Sequence, residues 1–278
     1  MKWVIGDIHG MIRPLEAVLD VIQRRDAEPE FFFCGDYCDR GVSTRQVVDV
    51  LLGLDRASFV RGNHDDVMDL LCNGTSLGIG TGMDARASDE TIIEVYGIFR
   101  GEGMTETLLS YGVNPSEFEP LEDEPLPDWI RRQFAEVPEA HKKFFRELPA
   151  IVETPDFFVC HALWPPDQVD EDDRMNAMMA DPYLRHDVLW GRYTASQIRS
   201  RKVWRRLGYF GHTPTENYAG QADLDISPQG VIRGEKVVLI DTAAFAPTGH
   251  LTALCHEDGC VIQANRLGEI LDAAGESA

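Results

Sequence analysis

Positive charge is scarce in this chain: 26 lysines and arginines stand against 47 acidic residues, a formal net charge of −21. Such a surface repels nucleic acid and anionic lipid on average, so neither is an expected partner. Local bound cations can still reverse the field and admit an anionic substrate. Long apolar runs are missing too. No run of about 18 apolar residues occurs, which excludes a membrane-spanning helix. The opening Met1–Gly6 is too short for the apolar region of a secretory leader, so a cytoplasmic location is expected. The six cysteines, Cys34, Cys38, Cys72, Cys160, Cys255 and Cys260, lack the paired spacing of a zinc knuckle. Reduced and mostly buried thiols are expected instead.

What is present is a repeating unit. Lys2–Gly6 is an apolar run ending in Gly6-Asp7-Ile8-His9-Gly10. Pro14 then opens a segment in which Leu15, Val18, Leu19 and Ile22 recur at helical spacing. Phe31-Phe32-Phe33-Cys34 ends in Gly35-Asp36, and Val47, Val48, Leu51 and Leu52 mark a second helix. Ser58-Phe59-Val60 ends in Arg61-Gly62-Asn63-His64-Asp65. Strand, polar loop and helix thus alternate three times, which is βαβ logic with the chemistry at the carboxyl ends of parallel strands. Residues 73–90 lack periodicity and read as a surface loop; 91–111 and 127–148 read as helical, with an acidic, proline-rich loop at 114–127. Phe157–Cys160 ends at His161, and Tyr209-Phe210 leads into Gly211-His212-Thr213. Strands are expected at 236–240, 251–255 and 260–264. The acidic, Met-rich stretch 164–186 gives no clear pattern, and Met175, Met178 and Met179 read as packing. The division expected is one domain over 1–270, with a variable insert near 73–130 and a disordered tail at 271–278.

Five polar clusters therefore follow five apolar strands: Asp7/His9, Asp36/Asp39/Arg40, Asn63/His64, His161 and His212. Each strand is expected to deliver its cluster to one sheet edge. Acids and imidazoles gathered beside an apolar core repel one another and resist burial unless a compensating charge is present. Two divalent cations resolve that conflict, and mixed Asp, His and Asn donors suit Mn, Fe or Zn. Each residue alone has a plainer alternative. Asp7 or Asp36 could cap a helix or a turn, Asn63 could be a turn residue, and His161 could be a core histidine. His64 with Asp65 could open a charged helix, and Arg40 or Arg192 could be an ordinary ion-pair arginine. Cys34 and Arg40 also have the spacing of a cysteine-phosphatase loop, but Asp36 and Asp39 inside that loop oppose both thiolate and phosphate.

With those motifs in order, the chain resembles the calcineurin-like metallophosphoesterases, and within them the bacterial phosphoprotein phosphatases. The resemblance rests on Gly6–Gly10, Gly35–Gly41, Gly62–Asp65, His161 and Gly211–Thr213, with further likeness at Thr107–Gly112 and Asp241–Leu254. It implies an α/β fold, a four-layer α/β/β/α sandwich of two mixed sheets flanked by helices. It implies two divalent metals: Asp7 and His9 on the first, Asp36 bridging, and Asn63, His161 and His212 on the second. It implies His64 as general acid, Asp39 as the carboxylate orienting it, and Arg40 as a phosphate clamp. Arg192 stands where a second clamp is found, and Asn63 also borders the phosphate. Metals roughly 3.5–4 Å apart can hold a bridging hydroxide for in-line attack, with a histidine protonating the departing oxygen.

The implied substrate is a phosphorylated protein, cleaved at serine or threonine, or a small phosphoester. Two departures divide the reading. Asp65 replaces the glutamate usual in the protein phosphatases and matches the dinucleoside tetraphosphatases, whereas Asp39-Arg40-Gly41 is an ending that the symmetrical tetraphosphatases tend to lack. A dinucleoside polyphosphate hydrolase is the alternative enzyme, and a catalytically silent regulatory module the alternative of another class.

Overall fold

The computed structural model describes residues 1–78, 87–165, 174–200, 204–221 and 223–271. Among these residues, twelve strands form two six-stranded sheets. The first sheet contains β1 (Lys2–Ile5), β2 (Glu30–Phe33) and β3 (Ala57–Phe59), together with three strands from the end of the chain. The second contains β4 (Ile151–Glu153), β5 (Phe157–Cys160), β6 (Leu207–Phe210), β7 (Asp225–Ile226), β8 (Ile232–Arg233) and β9 (Val237–Leu239). The closing strands β10 (His250–Cys255), β11 (Val261–Asn265) and β12 (Ile270–Leu271) return to the first sheet. The strand orders are β12-β11-β10-β1-β2-β3 and β4-β5-β6-β9-β8-β7. Each sheet is mixed: β1-β2-β3 and β5-β6-β9 are parallel, and the remaining pairings are antiparallel.

The apolar runs explain the layering. A strand buried on both faces needs no polar alternation. Val4, Phe32, Cys34, Phe157, Val159, Tyr209, Val238 and Ile240 form the core between the sheets. The Phe32 and Phe157 rings meet edge to face across it, with centroids 4.9 Å apart. Trp3, Ile5, Phe31 and Phe33 point the other way, against α1 (Ile12–Arg25) and α2 (Thr44–Leu52). Leu15, Val18, Leu19 and Ile22 form the buried stripe of α1, as their spacing predicts. On the far side, Phe158, Cys160, Phe210 and Leu239 pack under the later helices. The four-layer α/β/β/α sandwich is therefore present.

Between β3 and β4 the chain forms α3 (Asn63–Asn73), α4 (Asp89–Phe99), α5 (Thr105–Ser110), α6 (Leu126–Gln133) and α7 (Glu139–Glu147). The two long helical stretches expected here are each divided. The irregular turn Arg100–Met104, with Gly103 at φ 101°, separates α4 from α5. Pro138 caps α7 and cannot continue α6 through its missing N–H. Part of the loop expected at 73–90 lies outside the described residues. Its described part, Ser76–Gly78, is tied to the buried Asp66 carboxylate by the Ser76 hydroxyl and by the N–H groups of Leu77 and Gly78. The 164–186 stretch, where described, turns helical: α8 (Arg174–Ala180) and α9 (Pro182–Trp190) precede α10 (Ala195–Arg199). Met178 is buried in the second outer core. The tail expected at 271–278 lies outside the described residues beyond Leu271.

One expectation needs correction. The five polar clusters do not share the edge of one sheet. Those after β1, β2 and β3 come from the first sheet, and His161 and His212 follow β5 and β6 of the second. Face-to-face packing of the two parallel cores brings their carboxyl ends together.

Candidate metal centre

All six predicted ligands are buried: Asp7, His9, Asp36, Asn63, His161 and His212. Among the described residues, two groups of side chains have donor atoms close enough to hold a cation, His9, Asp36 and His64, and Asp36, His161 and His212, with Asp7 in neither. Asp36 belongs to both. Its Oδ2 is 3.5 Å from His9 Nε2, and its Oδ1 is 3.4 Å from His161 Nε2. Asn63 Oδ1 lies 3.0 Å from His161 Nε2 and 2.9 Å from His212 Nδ1.

Backbone carbonyls set the imidazole tautomers. His9 Nδ1 is 3.0 Å from the Cys38 carbonyl, His161 Nδ1 is 2.7 Å from that of Cys34, and His212 Nε2 is 3.3 Å from that of Trp190. A carbonyl only accepts, so each of these nitrogens carries the proton. The opposite nitrogen is then a lone pair aimed into the cluster. Burial pushes the His9 pKa down to about 3 and that of His212 well below the histidine range. Burial lowers His161 as well. Lone pairs facing the Asp36 oxygens are repulsive unless a cation lies between them. A second sign is the Asp7 Oδ1 oxygen, which is buried and has no hydrogen-bond partner, while Oδ2 accepts from the His212 N–H at 2.8 Å. Burial, then Asp241 and Asp36, raises the Asp7 pKa well above the carboxylate range. Among the acids of this cluster Asp36 falls below that range: burial opposes its charge, but positive charge on the surrounding His161, His64 and His9 would favour it more. These donors fit divalent metal ions.

The backbone is bent to make this arrangement. His9, Asp36, Asp39, Arg40 and His212 all hold positive φ, between 48° and 66°. Such strain in non-glycine residues collects where the surrounding structure enforces it. Two motif glycines make room for the carboxylates. A Cβ on Gly62 would lie 2.1 Å from Asp36 Oδ1, and one on Gly211 would lie 1.9 Å from Asp7 Oδ1.

Beside the ligands, His64 Nδ1 is 2.7 Å from Asp39 Oδ2, and both residues are buried. Burial disfavours the His64 imidazolium, but Asp36 and Asp39 outweigh it and raise the pKa. Burial likewise raises Asp39, against its hydrogen bond to His64. Arg40 stacks on Phe245, 4.1 Å from the ring centroid, with its Nη2 3.6 Å from Glu102 and its buried Nε unpartnered. Arg192 donates to Thr213 Oγ1 at 3.1 Å, next to His212. Arg40 adds to the depression of His9, and Arg192 to that of His161 and His212, so both arginines lie near the cluster.

The departure at Asp65 has a structural explanation. Its Oδ2 accepts from the Asp36 and Gly62 N–H groups, both at 2.8 Å, and its Oδ1 accepts from the Tyr37 N–H at 2.9 Å. Asp65 therefore staples the second motif to the third. Burial and Asp36 push its pKa up to about 7 despite those bonds. Cys34 is buried in the inter-sheet core, and burial followed by the charge of Asp7 pushes its thiol well up, which argues against a thiolate nucleophile. All six cysteines are free.

Three contributors lie in the stretches of family likeness at Thr107–Gly112 and Asp241–Leu254, but neither stretch by itself assigns them a role. Thr107 Oγ1 donates to Asp39 Oδ1 at 2.8 Å and accepts from the Asp39 N–H at 2.8 Å. Asp241, after β9, is buried, and burial with Asp36 raises its pKa to about 6. Phe245 backs Arg40 and packs edge-on against His9 with centroids 5.3 Å apart. A strand followed by an acid, the signature of the first two motifs, could have pointed to Asp241; the likeness around Thr107 and Phe245 gives no sign of what either side chain supports.

The calcineurin-like phosphoesterase family model matches residues 3–215, and the chain belongs to that family. Over 63 residues it is 35% identical to the symmetrical bis(5'-nucleosyl)-tetraphosphatase of Coxiella burnetii, covering 23% of this chain and 22% of that protein. Over 69 residues it is 36% identical to the serine/threonine-protein phosphatase PP2A-like PPG1 of Candida albicans, covering 22% of this chain and 16% of that protein. The matched stretches thus span about a fifth of these curated relatives. The crystal structure of a candidate diadenosine tetraphosphatase has the same fold, with a TM-score of 0.50 at 16% identity, covering 95% of this chain and 92% of that one. No helix among the described residues is long and apolar enough to cross a membrane.

Proposed function

We propose that this chain is a metal-dependent phosphomonoester hydrolase, with phosphoserine and phosphothreonine in proteins as its substrates. The observation that carries this reading is the complete acid pair, His64 Nδ1 at 2.7 Å from Asp39 Oδ2, beside the shared carboxylate Asp36. A serine or threonine alkoxide is a poor leaving group and needs a proton as it departs. Against burial, Asp36 and Asp39 favour the imidazolium of His64, whose Nε2 would deliver that proton. Arg40 offers its planar fork to two phosphate oxygens, backed by Phe245 and with its buried Nε still lacking an acceptor. Arg192 approaches from the His212 side, and Asn63 borders the phosphate. Asp7 and His9 would hold one metal, Asn63, His161 and His212 the other, and Asp36 both. Manganese, iron or zinc bound there supplies Lewis acidity and a hydroxide nucleophile near neutral pH.

The second reading is a dinucleoside polyphosphate hydrolase, supported by Asp65 and by the likeness to a bis(5'-nucleosyl)-tetraphosphatase. The test is to strip the protein with chelator, restore manganese, and compare phosphopeptides, diadenosine tetraphosphate and an aryl phosphate. Phosphopeptide turnover is expected. Turnover of the dinucleotide alone would overturn the protein-phosphatase reading. No turnover of any substrate with manganese, iron or zinc would overturn the enzyme.

A further inference from the structure

Against a net charge of −21, one surface groove is basic. It has a volume of about 540 Å³ and runs from the first two motif loops to the β11–β12 turn. Arg13, Arg40 and Arg266 line it, and none of its lining residues is acidic. Arg13 and Arg266 are exposed and make no ion pair or side-chain hydrogen bond among the described residues. On so acidic a protein, two exposed arginines lining one groove that has no acidic lining residue form a local reversal of field. Arg40 joins the groove to the metal centre, so whatever lies in the groove is continuous with the group being hydrolysed.

We propose that this groove binds an acidic peptide segment flanking the phosphorylated residue, with Arg13 and Arg266 reading its carboxylates. The proposal rests on the phosphoprotein reading above. Charge complementarity selects an anionic occupant. The lining disfavours a nucleotide base, which needs a free aromatic face to stack on. Phe245 is the only aromatic lining it among the described residues, and the Arg40 guanidinium already covers a face of that ring, 4.1 Å from its centroid. Exposed Val42 and Leu267 instead offer apolar contacts to an extended chain.

The test uses phosphoserine peptides differing only in whether the flanking residues are glutamate, glutamine or lysine, with the manganese-loaded full chain. Each kcat/KM is divided by the same variant's rate on an aryl phosphate, so that damage to the metal centre cancels. The glutamate peptide is expected to exceed the glutamine peptide roughly tenfold, with the difference shrinking at high salt. The double variant Arg13→Ala/Arg266→Ala is expected to bring that ratio close to one, and Arg13→Glu/Arg266→Glu to favour the lysine peptide. A wild-type ratio near one, or a ratio unchanged in the double variant, overturns the proposal. So does a loss confined to diadenosine tetraphosphate turnover, which would give the groove to a nucleotide. Aryl phosphate turnover without turnover of any phosphopeptide would instead refute the phosphoprotein reading beneath it.

Discussion

The two sheets are built alike and contribute unequally. Each has three parallel strands, β1-β2-β3 at one side of the first sheet and β5-β6-β9 at the centre of the second, and the carboxyl ends of both face the same cluster. The first sheet supplies dense motifs: Asp7 with His9, Asp36 with Asp39 and Arg40, Asn63 with His64. The second supplies isolated residues, His161, His212 and Asp241. The shared carboxylate and the acid pair therefore lie in short, local loops, whereas the second ligand group exists only where the sheets meet. Asn63 Oδ1 and Asp36 are the joints, reaching imidazoles from the opposite sheet.

Breaking the joint should have the largest effect. Asp36→Asn removes the one carboxylate common to both groups. Activity should fall on the order of 10³-fold or more, and elemental analysis should find less than two metals per chain. Retention of both metals would mean that the two sheets hold their sites independently. Next, His64→Asn breaks a function belonging to the first sheet alone. Turnover of alkyl phosphates should drop by roughly 10²–10⁴-fold with metal content unchanged, and an aryl phosphate should suffer less. Equal losses on both substrates would argue against a general acid.

The two glycines sharpen the comparison because each serves a different carboxylate. Gly62→Ala presses on Asp36 and Gly211→Ala on Asp7, so each should destabilise the fold by about 1–3 kcal/mol in denaturant melts and weaken metal binding. Loss in Gly62→Ala should extend to both metals, since Asp36 is shared, while Gly211→Ala should affect chiefly one. The smallest effect is expected for Thr107→Val, which leaves every ligand in place. Asp39 loses a hydrogen bond that lowers its pKa, so kcat should fall about tenfold with little change in KM. An unchanged kcat would show that Asp39 orients His64 without help from the helical insert.

Legibility follows the same division. Helix α1, strands β1, β2 and β5, and the six candidate ligands are legible in the amino-acid order alone, because each apolar run ends in its own polar cluster. Short strands such as β7, β8 and β12 are not, since two-residue pairings carry no periodicity of their own. The helices over 174–190 are hidden by a stretch whose apolar residues follow no clean stripe. Gly103 and Pro138 interrupt helices that periodicity alone would join.

By itself, then, the sequence determined which donors are present and in what order they leave their strands, because side-chain chemistry and strand-ending motifs are local properties. The tertiary structure alone decided that two sheets, not one, meet at the centre. It decided that Asp65 fastens two loops, and that Thr107 and Phe245 support Asp39 and Arg40. It also left Arg13 and Arg266 facing one groove, though 253 positions separate them in the chain. The reason is the packing itself: closure of the inter-sheet core around Phe32 and Phe157 sets which distant loops are neighbours, and no single segment encodes that contact.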